Sequence, residues 1–99
     1  MNLLWFFVLA ATVLASATTG LAGSAEPPAG AMACSGCHPV GSGGETSVPR
    51  LAGRKAEEIV AQMRAFRSGQ RGATVMDRIA KGYSDAEVET IAEWYEAQQ

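Results

Sequence analysis

Two cysteines three positions apart, followed at once by the only histidine of the chain, limit this sequence more than any other feature: Cys34-Ser35-Gly36-Cys37-His38. A spacing of three is close to one helical turn, so both thiols reach out from one face of a short helix. A zinc site needs four ligands, and outside this pentapeptide the chain holds no other Cys or His. A thioredoxin-like redox pair needs a βαβ setting, and no stretch shows a convincing period of two. A disulfide between Cys34 and Cys37 would close too small a loop to stabilise much. The remaining reading is the C-x-x-C-H signature of covalent haem c. The two thiols add to the two vinyl groups on one edge of a porphyrin, and His38 then lies under the iron.

The N-terminus agrees with that chemistry. Residues Leu3 to Ala17 carry no charge and are almost wholly apolar, and small residues from Thr18 to Ala25 follow. The block is short for a membrane-spanning helix, which needs about 20 apolar residues. It reads as a secretory signal peptide, although no Lys or Arg precedes it. Gly23-Ser24-Ala25 and Ala15-Ser16-Ala17 both suit cleavage; the first is preferred because Glu26-Pro27-Pro28 looks like the start of a mature chain. An uncleaved N-terminal anchor is the alternative. The expected organisation is a signal peptide over 1–25 and one monohaem domain over 26–99, exported to the periplasm, with no stable membrane insertion after cleavage.

A mature chain of about 74 residues is marginal, because it buries a small fraction of its surface, and domains of that size often need a staple. Every charge lies from Glu26 onward, and the net charge is −2, which argues against nucleic acid as a partner. The pattern is all-α. Ala29–Ser35 leads into the cysteines, and Pro39 ends it; Val40–Val48 is a Gly/Ser/Thr-rich loop. Arg54–Arg67 is a helix whose Ile59, Met63 and Phe66 share one face, and Gly69 closes it. Asp77–Lys81 makes one short turn. Ser84-Asp85-Ala86-Glu87 is a capping box that starts the last helix, with Val88, Ile91, Ala92 and Tyr95 as its apolar face. Three principal helices with such long loops need something to wrap around.

A methionine or an open position must complete the iron. Met1 leaves with the signal, and Met32 sits on the short helix of the cysteines, the wrong side of the porphyrin. Met63 belongs to an apolar stripe and reads as core. Met76 follows a Gly-containing loop and lies 38 residues beyond His38, enough chain to pass the porphyrin edge and present a thioether to the other face. His/Met ligation is common in cytochromes c and favours Fe(II), raising the potential. With both axial positions filled, no site is left for oxygen or substrate. Outer-sphere transfer of single electrons then follows, and the chain alone is not an enzyme. If Met76 does not ligate, an open haem that senses a gas or reduces peroxide is the reading.

From Cys34 to the C-terminus the chain resembles class I c-type cytochromes. The residues that carry this are Cys34-Ser35-Gly36-Cys37-His38, Pro49-Arg50-Leu51-Ala52-Gly53, Met76, and the last helix with Trp94-Tyr95. The resemblance implies that the Pro49 carbonyl accepts from His38 and fixes its ring. It implies that Leu51 joins the cofactor-binding residues, and that Tyr95 or Trp94 presses onto the turn around Gly30 and Ala33. Phe66-Arg67-Ser68-Gly69 and the run Val75–Ser84 look like the cytochrome subunit of flavocytochrome c sulfide dehydrogenase. That likeness implies a flavoprotein (FAD) partner that oxidises sulfide. A free-standing soluble shuttle to an oxidase or reaction centre is the alternative.

Charge is unevenly placed. Arg50 to Lys81 holds all eight basic residues for a balance of +5, and Gly82 to Gln99 has a balance of −5. A positive rim near Met76 would steer an acidic partner; two solvated faces that offset each other are the plainer reading.

Overall fold

The computed structural model describes residues 26–39 and 46–98. The expected signal peptide, and most of the Val40–Val48 loop, lie outside the described residues. Four helices follow in order: α1 (Ala31–Ser35), α2 (Ala56–Ser68), α3 (Met76–Ala80) and α4 (Asp85–Glu96). No strand occurs among the described residues, and no described helix is long and apolar enough to cross a membrane. The all-α expectation holds, with α2 and α4 as the long members.

Local chemistry explains the helix ends. α1 begins two residues later than the Ala-rich run suggests, because Gly30 adopts a left-handed φ of 87° that no helix continues through. α2 stops at Gly69, left-handed at φ 78°, whose amide returns to the Phe66 carbonyl. The capping box of α4 is complete in both halves. The Glu87 amide donates to Ser84 Oγ at 3.2 Å, and the Ser84 amide donates to Glu87 Oε2 at 2.7 Å.

The core lies where α4 crosses α1 and α2. Ile59 of α2, Ala31 of α1, and Ile91, Ala92 and Tyr95 of α4 form one buried cluster. Val88, Ile91, Ala92 and Tyr95, the expected apolar face of α4, are all buried. Tyr95 is sealed against α1, its hydroxyl donating to the Ala31 carbonyl at 2.6 Å. The resemblance placed Tyr95 or Trp94 on the turn around Gly30 and Ala33; Tyr95 makes that contact, at Ala31, while Tyr83 and Ile91 occupy the space over Gly30. A Cβ on Gly30 would lie 2.9 Å from Tyr83 Cε1 and 3.3 Å from Ile91 Cδ1. Glycine is therefore required there twice, for its φ and for this close approach.

Candidate haem site

The site starts at the end of α1. Backbone bonds from the Cys37 amide (3.2 Å) and the His38 amide (2.9 Å) to the Cys34 carbonyl carry the helical turn beyond Ser35. Cys34, Cys37 and His38 are thereby held on one turn by the local backbone. Both thiols are unpaired; Cys34 is half-buried and Cys37 exposed. Burial pushes the Cys34 thiol above its ordinary pKa, partly offset by a backbone hydrogen bond.

His38 is 9% exposed, and its Nδ1 lies 2.5 Å from the Pro49 carbonyl oxygen. A carbonyl can only accept, so Nδ1 carries the proton and donates. That tautomer leaves the lone pair of Nε2 available to a metal, and the bond fixes the plane of the ring. The segment 49–53 is anchored in turn: the Gly53 amide donates to the Tyr95 carbonyl at 3.0 Å, and Leu51 packs against the core cluster. The sequence expectation for Pro49 concerned this contact, and the geometry contains it.

Met76 opens α3 and is half-buried. Met63 packs against the core cluster, in keeping with its reading as a core residue. Met32 is 61% exposed. The chemistry of this donor set suits haem c: two adjacent thiols for vinyl attachment, one oriented imidazole, and a half-buried thioether on another helix. The packing suits it too. Among the described residues, three of the seven buried apolar side chains are alanines, Ala31, Ala80 and Ala92, while Cys34, Leu51 and Met63 lie half-buried against the cluster. A domain of this size with so many small core residues gains most from a large apolar group at its centre.

Two features of the site region were not read from the sequence. Tyr83 spans from the end of α3 to Gly30, just before the attachment turn; an aromatic residue beside Gly82 was the available sign. Val75 and Ile79 stand exposed on either side of Met76, at 48% and 38%, a spacing of i and i+4 that alone suggested a shared face.

No family model matches the chain. Curated relatives do. The cytochrome subunit of sulfide dehydrogenase of Chlorobaculum tepidum is 36% identical over 64 residues, covering 65% of this chain and 58% of the relative. The thiosulfate dehydrogenase electron acceptor of Thiomonas intermedia is 36% identical over 97 residues, covering 90% of this chain and 45% of the relative. The chain thus spans about half the length of these two. Cytochrome c-554(548) of Halomonas halodenitrificans is 34% identical over 70 residues, and there the match covers 84% of the relative. Nearly the whole of a single small cytochrome is matched in that last case, by a chain whose described fold is helical and which carries a C-x-x-C-H sequence: the protein belongs to the c-type cytochromes.

Proposed function

We propose that the chain carries one haem c, attached through Cys34 and Cys37 and held by His38 and Met76, and relays electrons in the periplasm from a flavoprotein sulfide dehydrogenase subunit. The observation that carries this reading is the 2.5 Å contact between His38 Nδ1 and the Pro49 carbonyl. An imidazole oriented in this way, one residue after the second of two unpaired thiols, is poised to ligate a metal through Nε2. When bound, the haem supplies a one-electron Fe(III)/Fe(II) couple. His38 supplies the proximal donor, and Pro49 strengthens it by accepting its proton side. Met76 would hold the iron through its thioether, which would favour Fe(II). Leu51 packs against the core cluster, and beside a bound haem it would help keep water out, which would favour the reduced state.

The donor is inferred from kinship. The relative from Chlorobaculum tepidum is by name a sulfide dehydrogenase subunit, and the run Val75–Ser84 resembles that family. A thiosulfate dehydrogenase is the other donor the relatives suggest. The single-domain length of the Halomonas halodenitrificans cytochrome favours the second reading, a free-standing shuttle. An absorption spectrum of the native protein purified gently from periplasm tests the choice. Haem bands with stoichiometric flavin, and reduction of the haem by sulfide, are expected. Haem bands without flavin move the function to the free shuttle, and absence of haem overturns the proposal.

A further inference from the structure

Met76 opens a helix too short to hold its own place. α3 runs for five residues, Met76–Ala80, well below the length at which a helix is stable alone. Ala80 is its one buried residue, and an alanine offers little surface to pack. The approach to α3 is looser still: Gly72, Ala73 and Thr74 are exposed and form no hydrogen bond with any described residue. The position of Met76 therefore depends on what fastens the two ends of its segment. At each end the tie runs through an arginine to α2.

Upstream, Gly69 turns the chain back, and the Arg71 amide donates to the Ala65 carbonyl at 3.1 Å. The Arg71 guanidinium then lies along the same helix. Its Nη1 donates to Gln62 Oε1, and its Cζ stands 4.9 Å from the centre of the Phe66 ring. The ring face attracts the cation, so the side chain is held twice. Downstream, the amides of Gly82 and Tyr83 return to the carbonyls of Ile79 and Ala80 at 3.0 and 3.4 Å, which closes α3. The Tyr83 carbonyl accepts from Arg67 Nη2 at 3.0 Å, and Arg67 Nη1 donates to Asp85 Oδ1 at 2.7 Å. The Arg67 side chain is 31% exposed, better shielded from water than the exposed Arg71. The Tyr83 ring lies against Gly30. Arg67 thus also links the Met76 segment to the turn that carries Cys34, Cys37 and His38.

We infer that Arg67 and Arg71 are positioning residues for the second axial ligand. They fasten both ends of the segment 71–83 to α2 and so slow the departure of the Met76 thioether from the iron. Both act through Met76, and the inference rests on the reading that Met76 ligates. Breaking either tie leaves the average structure in place and lets the segment open more often, because local openings follow local contacts rather than global stability.

Imidazole is the probe, added in saturating amount to the ferric, haem-loaded protein. The iron–sulfur bond to Met76 breaks, an iron–nitrogen bond to imidazole forms, and no electron moves. At saturation, the rate at which the methionine–iron charge-transfer band disappears is the rate at which the segment opens. Arg67→Gln is expected to raise this plateau rate about tenfold. Arg71→Gln is expected to raise it about threefold. Arg71 is exposed, so its variant stays informative even if Arg67→Gln fails to fold. Arg67→Lys keeps the charge and a donor, and its rate should lie between those of Arg67→Gln and the wild type. Glu96→Ala is the control. It breaks the bond from the Ala56 amide at the other end of α2, which lowers overall stability, and it should leave the plateau rate unchanged. Plateau rates unmoved in both glutamine variants would overturn the proposal while the wild type keeps its charge-transfer band. An equal rise in Glu96→Ala would also overturn it, by assigning the effect to overall stability. Wild-type protein without that band would take Met76 off the iron, and the underlying reading would fall together with this one.

Discussion

Glu96, the last residue of α4, accepts a hydrogen bond from the backbone amide of Ala56, the first residue of α2, at 2.9 Å. Lys55 at the N-cap of α2 offers no side-chain bond, so a carboxylate 40 residues away does the capping. A negative charge is poorly placed at the C-terminus of its own helix and well placed at the N-terminus of another. Glu96→Ala is expected to destabilise the protein by about 1 kcal/mol, the cost of a lost cap. Glu96→Gln keeps an acceptor and should lose about half of that. Urea unfolding midpoints of the three haem-loaded proteins measure the difference.

Tyr95→Phe removes the donor to the Ala31 carbonyl and leaves that buried acceptor without it. The expected cost is about 1–3 kcal/mol. Burial raises the Tyr95 phenol above its ordinary pKa, and the neighbouring Cys34 adds to the shift. Thioether formation removes the Cys34 ionisation and leaves the burial. A pKa raised in the folded state gives stability that is fully present below the unfolded value, about 10, and is lost as pH rises through the folded value. Thermal melts from pH 8 to 12 should show an alkaline decline that Tyr95→Phe makes shallower.

Asp85 has the opposite sign. Its hydrogen bond to Arg67 holds its carboxyl below the usual pKa, with the charges of Arg67 and Arg64 contributing. The stability it contributes is present above the unfolded value, about 4, and is lost as pH falls through the folded one. The carboxyl is exposed, so salt weakens the effect. In acid titrations followed by the haem Soret band, Asp85→Asn should unfold with less dependence on pH below about 4.

Met76→Ala should remove the methionine–iron charge-transfer band, lower the reduction potential, and admit carbon monoxide to the reduced protein. A spectrum and potential like those of the unaltered protein would show that this side chain is not a ligand.

The fold was legible where a local rule dictated the structure. Ser84 and Glu87 announced the start of α4, the spacing of Val88, Ile91, Ala92 and Tyr95 its buried face, and Gly69 the end of α2. The turn that carries Cys34, Cys37 and His38 was legible because their spacing is that of one helical turn. What escaped was long-range. Nothing local to Lys55 reveals a cap supplied by Glu96, and nothing near Gly30 singles out Tyr83 and Ile91 as the residues above it. The start of α1 was placed early because alanine favours helix while the φ of Gly30 is set by that distant contact.

The bond from Tyr95 to Ala31 joins residues separated by 64 positions. Closing so long a loop costs entropy before any contact returns it. A chain growing from its N-terminus therefore displays Cys34 and Cys37 long before the helix that seals α1 exists. Until α4 has formed, the hydroxyl that seals α1 is absent and the turn bearing the two thiols remains unsealed.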